Sequence, residues 1–289
     1  MKPAKFDYFK PTELGDALTM ISDRGGNSQF LAGGQSLVSM MNFRLAAPAA
    51  LIDLNKIPEL QVVTVGGSGE LHIGAMTRTR RIETDPLIQA ANPLLAEAAA
   101  HIAHFQIRNR GTIGGSLAHA DPAAEFPGTV IACGVEIHLR GPDGSRTVGA
   151  EDFFQGIFAT DLAEDELIEK IHFPPWPGGR YWGFQEVSRR EGDFAIVGIA
   201  AWFDRSEGGK ISDSRLTAIG VGDTPMRLVG AEAILSGQSP APELFARAAK
   251  AGSEEIDPRS DIHASADYRR EVCAVLIGRV LLQAWRRNQ

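Results

Sequence analysis

The first 56 residues switch repeatedly between helical and strand-like spacing of apolar side chains. Leu14, Leu18 and Ile21 recur three and four positions apart, which predicts an amphipathic helix over residues 12–24 that ends at a glycine pair. A strand, a helix and a second strand are predicted to follow, over residues 29–32, 36–45 and 51–54. The opening of the chain is therefore predicted to contain a strand, a glycine-rich turn and a helix in direct succession.

The middle of the chain continues this mixture of elements. Strands are predicted over residues 71–76 and 167–173 from their apolar character, and residues 135–140 alternate apolar and polar side chains as a half-buried strand does. Residues 87–102 and 129–133 are rich in Ala, Leu and Ile, and we expect helices there.

Residues 174–179, with the sequence PPWPGG, form the best candidate for a linker. Beyond them we expect antiparallel strands over residues 181–187, 196–203 and 211–221. Helices are predicted over residues 226–235, 242–251 and 267–286. We therefore divide the chain into a domain of residues 1–175 and a domain of residues 176–289.

The charge balance narrows the possible partners. Twenty-nine Lys and Arg residues face 36 Asp and Glu residues, so the net charge is −7 and the isoelectric point is near 5.5. This balance argues against nucleic acid as a partner, because phosphate backbones need clustered cations. No apolar run approaches the roughly 20 residues of a membrane span, and no hydrophobic segment follows the N-terminal charges as in a secretory signal. We expect a cytoplasmic protein without a membrane span.

The cysteines and histidines do not indicate an iron–sulfur cluster or another metal site. Cys133 and Cys273 are the only cysteines, whereas an iron–sulfur cluster takes four protein ligands. His101 and His104 could share a helix face, but no further ligands accompany them at a readable spacing, so no metal site is predicted. If the protein handles electrons, we expect the redox centre to be a bound organic cofactor.

Two glycine pairs, each followed closely by serine, are the main chemical signal. Residues 33–36 read Gly-Gly-Gln-Ser, and residues 114–116 read Gly-Gly-Ser. Glycine lets the backbone approach a phosphate, and free N–H groups at a helix start attract anions. A glycine turn with a serine helix cap explains either pair alone, whereas the two together indicate two ends of one large ligand with a pyrophosphate. Neither G-x-G-x-x-G nor G-x-x-x-x-G-K-[ST] is present, so neither a Rossmann site nor a P-loop explains the glycines.

Three segments, taken together and in order, resemble one known family. They read LAGGQSLVSMMNFR (residues 31–44), IRNRGTIGGSLAHADPAAEFP (residues 107–127) and GFQEVSRREGDFAIVG (residues 183–198). The chain resembles, over essentially its whole length, the FAD-binding medium subunit of molybdenum hydroxylases. That family includes aerobic carbon monoxide dehydrogenase and xanthine dehydrogenase-type enzymes.

This resemblance implies an α+β fold. The first domain would be an FAD-binding fold of the vanillyl-alcohol-oxidase (PCMH) type with two subdomains, about residues 1–56 and 57–175. The C-terminal domain would be a smaller α+β unit with a small antiparallel sheet and helices. FAD would lie between the two subdomains.

The resemblance also implies which residues bind the cofactor. The pyrophosphate would be wrapped by Leu31, Ala32, Gly33, Gly34, Gln35 and Ser36, with Val38 close to the flavin. The second loop would consist of Thr112, Ile113, Gly114, Gly115 and Ser116. Cofactor hydroxyls would bind Glu125, the flavin ring would meet the backbone of Ile168, and Ile102 falls where some relatives place an aromatic residue near the adenine. Asp121, four residues before Glu125, would share a helix face with it if that stretch is helical.

One position departs from the family pattern. Many relatives carry a lysine near the flavin, just ahead of the Arg-Arg pair of the third segment, and the candidates here are Gln185 and Glu186. Loss of a cation beside the flavin would destabilise reduced, anionic forms of the ring. Arg189 or Arg190 is the alternative source of the charge.

The resemblance implies an electron-transfer subunit of a heteromeric dehydrogenase, with no catalytic residue in this chain. A small subunit with two [2Fe–2S] clusters would deliver electrons to FAD, a large subunit would hold the molybdenum cofactor, and the assembly would be a dimer of heterotrimers. Two alternatives remain open. One is a stand-alone FAD-dependent oxidase or dehydrogenase of the vanillyl-alcohol-oxidase type, and the other is a non-enzymatic binding or scaffold module with a degenerate flavin fold.

Overall fold

The computed structural model describes residues 2–287. Its N-terminal part is a three-stranded parallel sheet of β1 (Asp7–Phe9), β2 (Ser28–Leu31) and β3 (Ala50–Asp53), with β3 in the centre. Parallel strands need crossover connections, and here α1 (Leu14–Arg24) and α2 (Leu37–Asn42) provide them. Short 3-10 turns cover Gly25–Asn27, Leu54–Lys56 and Pro58–Gln61.

The middle part of the chain is built around a second sheet. The strands of this part of the chain are β4 (Val63–Val65), β5 (Leu71–Gly74), β6 (Glu136–Gly141), β7 (Gly144–Gly149), β8 (Phe154–Gly156), β9 (Ala159–Thr160) and β10 (Leu167–Phe173). Five of them form an antiparallel sheet in the order β4-β5-β10-β6-β7, and β8 and β9 form a separate hairpin. The helices of this part are α3 (Thr79–Thr84), α4 (Pro86–Ala91), α5 (Pro93–His101), α6 (Phe105–Arg108), α7 (Ile113–His119), α8 (Glu125–Cys133) and α9 (Ala150–Phe153).

The C-terminal part is a third sheet covered by helices. Its antiparallel strands, in sheet order, are β11 (Tyr181–Ser188), β12 (Ala195–Arg205), β13 (Ile211–Ile219) and β14 (Met226–Arg227). The helices are α10 (Val229–Leu235), α11 (Pro242–Glu255) and α12 (Ala266–Arg287). These three parts together are the predicted α+β arrangement with a small antiparallel C-terminal sheet.

Three clusters of buried apolar side chains hold these parts together. One lies under the first sheet, and one lies between the third sheet and its helices. The third cluster underlies the second sheet and α8, and it includes Phe184, Trp202 and Ile219 from the third sheet. The indole N–H of Trp202 also donates to the backbone oxygen of Ala132 at 2.6 Å. The C-terminal sheet is therefore packed directly against α8.

Most of the predicted elements are present, and the differences have local causes. The single helix predicted over residues 87–102 is two helices, because the Asn92 side chain accepts the N–H of Leu95 and Pro93 starts a new helix. The helix predicted over residues 36–45 ends at Asn42, and Arg44 takes a positive φ. The helix predicted from residue 226 is preceded by a short strand, and it begins at Val229.

Candidate cofactor site

The first glycine loop joins β2 to α2 and leaves consecutive backbone donors free. Gly34 has a φ of +73°, a conformation that favours glycine. Within residues 2–287, the backbone N–H groups of Gly34, Gln35 and Ser36 donate to no protein acceptor. Ser36 precedes α2, but its side chain makes no capping hydrogen bond, so the alternative of a serine-capped turn does not describe this loop. Successive free N–H groups of this kind suit an anion.

The second glycine pair is different, because its N–H groups are already used. Gly114 and Gly115 lie inside the first turn of α7, where Gly114 N–H donates to the Ala75 oxygen at 2.8 Å. Gly115 N–H donates to the Thr112 hydroxyl at 3.1 Å, and Ser116 N–H donates to the Thr112 oxygen. Thr112 is thus the N-cap of α7. The second loop does not offer the free N–H donors that the first loop offers, although the two sequences are similar.

The glycines of both loops permit close packing. A Cβ on Gly33 would collide with the backbone oxygen of Arg110 and would lie 2.8 Å from the Cα of Gly111. A Cβ on Gly115 would lie 3.2 Å from the Cβ of Ala32, and one on Gly114 would lie 2.5 Å from the Cβ of Ala75. The two loops therefore contact each other and form one continuous surface.

A polar network, which the sequence analysis did not predict, ties the loops together. Asn55 donates to the backbone oxygen of Ala32 at 2.9 Å, and the Arg78 guanidinium donates both to the Asn55 side chain and to the backbone oxygen of Arg110. Asp53 in turn accepts the N–H of Asn55 at 2.8 Å. No short motif marks Asn55 or Arg78, since their role depends on three segments meeting in space.

Two buried carboxylates face each other at the start of α8. Glu125 is only 6% exposed, and Glu186 from β11 has a side chain that is 8% exposed. Burial, followed by repulsion from Glu186, raises the pKa of Glu125 to about 8. Asp121 adds to this repulsion, and burial raises its own pKa as well. Asp121 lies in the turn before α8, so it does not share a helix face with Glu125.

Of the two candidates on β11, the structure brings only Glu186 to Glu125. Successive strand residues point to opposite faces of a sheet, and the amide of Gln185 donates to Gln283 of α12 at 2.9 Å. One carboxylate oxygen of Glu186, Oε2, is buried without a hydrogen-bond partner among the described residues. The other, Oε1, lies 3.7 Å from the ring Nδ1 of His101.

The other residues predicted from the sequence differ in their exposure and in their contacts. Ile102 follows His101 at the end of α5, and its backbone oxygen accepts from Arg108 at 2.9 Å. His104 lies beyond a residue with positive φ, so the two histidines do not share a helix face. Ile168 is buried in β10, at an irregularity in its pairing with β6. Val38, in contrast, is 43% exposed beside Gly34, which leaves an apolar surface open to a ligand.

The atoms left unpaired fit a phosphorylated ligand that carries hydroxyl groups. Free N–H groups at Gly34–Ser36 suit phosphate oxygens, and the buried carboxyl pair suits hydroxyl donors. The Thr77 hydroxyl is also buried without a partner, and the backbone oxygen of Thr77 accepts the N–H of Ile113 in the second loop. Buried polar groups without partners are rare, so those gathered here are candidates for contact with a ligand.

Comparison with protein families identifies the class of this site. A model described as "FAD binding domain in molybdopterin dehydrogenase" matches residues 4–176. The chain belongs to the FAD-binding medium subunits of the molybdenum hydroxylases. A second model, described as "CO dehydrogenase flavoprotein C-terminal domain", matches residues 182–284 of this medium subunit. The family predicted from the three segments is confirmed, and FAD is the cofactor of the family.

Individual relatives align with this medium subunit over its whole length. The alpha subunit of the 6-hydroxypseudooxynicotine dehydrogenase complex of Paenarthrobacter nicotinovorans is 39% identical, over 99% of this chain and 97% of its own. The medium chain of carbon monoxide dehydrogenase from Hydrogenophaga pseudoflava is 38% identical, over 99% of both chains. Both are named as parts of dehydrogenases, and this medium subunit is likewise of the oxidoreductase class.

Solved structures agree with the fold. A chain of carbon monoxide dehydrogenase from Hydrogenophaga pseudoflava superposes with a TM-score of 0.96 at 40% identity, covering 99% of both chains. A chain of quinoline 2-oxidoreductase from Pseudomonas putida 86 superposes with a TM-score of 0.94 at 35% identity, covering 100% of this medium subunit and 99% of that chain. The predicted α+β fold class is confirmed. Among residues 2–287, every helix is too short or too polar to traverse a lipid bilayer.

Proposed function

We propose that this chain is the electron-transfer subunit of a heteromeric molybdenum dehydrogenase. It would take electrons from the [2Fe–2S] clusters of a small partner subunit and pass them to an external acceptor. Substrate oxidation would occur at the molybdenum cofactor of a large partner subunit. The assembly would be a dimer of heterotrimers in the cytoplasm.

The observation that carries this proposal is the presence, in one chain, of free backbone donors and buried acceptors without partners. The first loop offers the N–H groups of Gly34, Gln35 and Ser36, and the start of α8 with β11 offers Glu125 and Glu186. A dinucleotide carries phosphate oxygens, which accept hydrogen bonds, and hydroxyl groups, which can donate them to carboxylates. No comparable set of unpaired groups is needed by a chain that acts only as a scaffold.

The cofactor would be held by residues from each segment. Phosphate oxygens would accept from residues 33–36, with Leu31 and Ala32 leading into the loop and Val38 offering apolar surface. Residues 112–116 would support that loop, because the N–H groups of residues 113–116 are already bonded within the protein. Glu125 would accept cofactor hydroxyls, and Ile102, Ile168 and Glu186 would border the bound group.

The chain's own contribution is binding, orientation and exclusion of water. Bound FAD supplies the ability to accept electrons singly and release them in pairs. Cys133 and Cys273 are both buried, and burial raises the pKa of their thiols to about 11 and about 12. Two cysteines are too few for the four protein ligands of an iron–sulfur cluster, so electrons would have to arrive from another polypeptide.

The domain division is part of the same proposal. We place the FAD-binding domain at residues 1–175, with subdomains of about 1–56 and 57–175, and the C-terminal domain at residues 176–289. The first sheet and the second sheet each have their own apolar cluster, which supports two subdomains.

The test compares the chain alone with the chain in its complex. The FAD-loaded chain, and the complex isolated with its co-purifying subunits, are each mixed with N-heterocycles, aldehydes and small alcohols while flavin absorbance is followed. We expect bleaching in the complex and none in the chain alone. The complex stripped of FAD is the control, and it should oxidise substrate with an artificial dye but not with the physiological acceptor.

Two outcomes would overturn the proposal. Turnover of an alcohol or aldehyde by the chain alone would identify a stand-alone oxidase. A chain that stays colourless after incubation with FAD would be a scaffold.

A further inference from the structure

A second cluster of unused ligands lies on the outer face of the second sheet. His172 of β10 is paired directly with His72 of β5 on one side and with Glu136 of β6 on the other. His138 lies two residues beyond Glu136 and therefore on the same face. The opposite face of these strands carries apolar residues of the core.

The donor atoms of this cluster are close together. One ligand atom from each of Glu136, His138 and His172 lies within 4.8 Å of the others. Nδ1 of His172 is 3.1 Å from Oε2 of Glu136. Imidazole and carboxylate groups in this combination are the usual ligands of Zn²⁺.

His138 is oriented with one nitrogen unused. Its Nδ1 lies 3.4 Å from the hydroxyl of Thr147 on β7, and its Nε2 is buried without a hydrogen-bond partner among the described residues. A second contact that fixes the ring while the other nitrogen binds metal is common in zinc sites.

His72 closes one side of the cluster. Its ring stacks on that of His172 with centroids 4.6 Å apart and planes within 8°.

We propose that Glu136, His138 and His172 bind Zn²⁺, with water completing the tetrahedral shell. The site would join β6 to β10 across the outer face of the sheet. Among residues 2–287, no hydrogen bond or ion pair joins these three side chains to either glycine loop, so we place the site apart from the cofactor. The sequence predicts no metal site, since His138 and His172 are 34 positions apart and meet only through strand pairing.

A charged residue beside this site should affect its affinity for a cation. Lys170 is paired directly with His138 across the sheet, and its positive charge would repel a bound cation. Removing the Lys170 charge should therefore strengthen metal binding.

The experiment is a Zn²⁺ titration of the full-length, FAD-loaded chain in competition with a chromogenic chelator. We expect one equivalent to bind, and His172→Ala or His138→Ala to weaken binding by about 100-fold or more. Lys170→Gln should tighten binding several-fold. His263→Ala removes an exposed histidine elsewhere and should change nothing.

A second measurement identifies the ligands. The electron paramagnetic resonance spectrum of bound Cu²⁺ should show coupling to imidazole nitrogens that His172→Ala removes. The flavin absorption of each variant reports that it is folded. Equal Zn²⁺ affinity in the parent and in His172→Ala, or no binding to the parent above that of His138→Ala, would overturn the proposal.

Discussion

Glu125 and Glu186 are two acids held in a space from which water is largely excluded. Burial penalises each negative charge, and proximity penalises having both. Without a ligand, the pair retains a proton on Glu125 at neutral pH, since the pKa of that carboxyl is about 8. A bound hydroxyl group would give the pair a partner that the protein does not supply.

This pair predicts how the stability of the FAD-free chain depends on pH. The pKa of Glu125 is raised from 4.5 to about 8, so the folded state binds the proton more tightly than the unfolded chain does. The contribution of this protonated carboxyl to the free energy of unfolding is full below pH 4.5, the pKa of the group in the unfolded chain, and it is lost as the pH rises through about 8. Between these two pH values, the melting temperature should fall on the order of 5 °C because of this group.

Glu125→Gln should remove that slope, because a neutral amide does not titrate. Glu243→Gln, an exposed carboxyl at the start of α11, is the matched control and should leave the slope unchanged. Thermal melts of the three proteins at several pH values measure it. Identical slopes in the parent and in Glu125→Gln would show that another group is responsible.

Glu186 provides a separate prediction about the flavin. Glu186→Lys restores a cation beside Glu125, which should stabilise the reduced, anionic cofactor and raise its midpoint potential on the order of 30 mV, equal to about 1.4 kcal/mol for a two-electron couple. Gln185→Lys is the control, because that side chain points to α12. Equilibrium titration against redox dyes gives both values, and equal shifts would contradict the assignment.

At the scale of elements, the cofactor site depends on how two loops are held. The first loop is anchored by Asn55 just after β3, and Arg78 just before α3 connects Asn55 to the second loop. Both anchors lie outside the glycine motifs. They hold backbone oxygens, which leaves the N–H groups of the first loop free for a ligand.

Asn55→Ala should therefore weaken FAD binding without removing any direct contact to the cofactor. Loss of the bond to Ala32, and of the Arg78 partner, is expected to raise the FAD dissociation constant about tenfold, equivalent to about 1.4 kcal/mol. Quenching of flavin fluorescence measures it. Asn109→Ala, an exposed asparagine after α6, should bind FAD as the parent does. An unchanged affinity in Asn55→Ala would exclude this anchoring role.

Sequence spacing predicted some of these elements and missed others for physical reasons. The helix of residues 12–24 and the strand of residues 167–173 follow from local apolar periodicity, and both are present. The bonding of the second glycine pair was not predictable, because the bond from Gly114 to Ala75 joins segments that are distant in the sequence. Asn55 and Arg78 carry no pattern at all, since their partners are distant in the chain.

At the scale of the whole molecule, the C-terminal part completes the core of the middle part. Trp202 and Phe184 extend into the cluster beneath the second sheet, and Arg287 near the end of the chain pairs with Glu97 on α5. Family resemblance predicted the overall architecture, whereas composition and periodicity predicted only its elements. The face that Glu186 takes was not readable from sequence, because the direction of β11 relative to α8 is set by this packing.

The late position of Glu186 in the sequence also affects when, during translation, the proposed site can form. The first loop is complete soon after Gly33 has been translated, but Glu186 of β11 follows 153 residues after Gly33. At about 5–20 residues per second, a ribosome needs roughly 8 to 30 seconds to cover that distance. A nascent chain would therefore display the proposed phosphate-binding loop long before Glu186 is available. Under the proposed function, the chain could enclose FAD only after β11 has emerged from the ribosome and packed near α8.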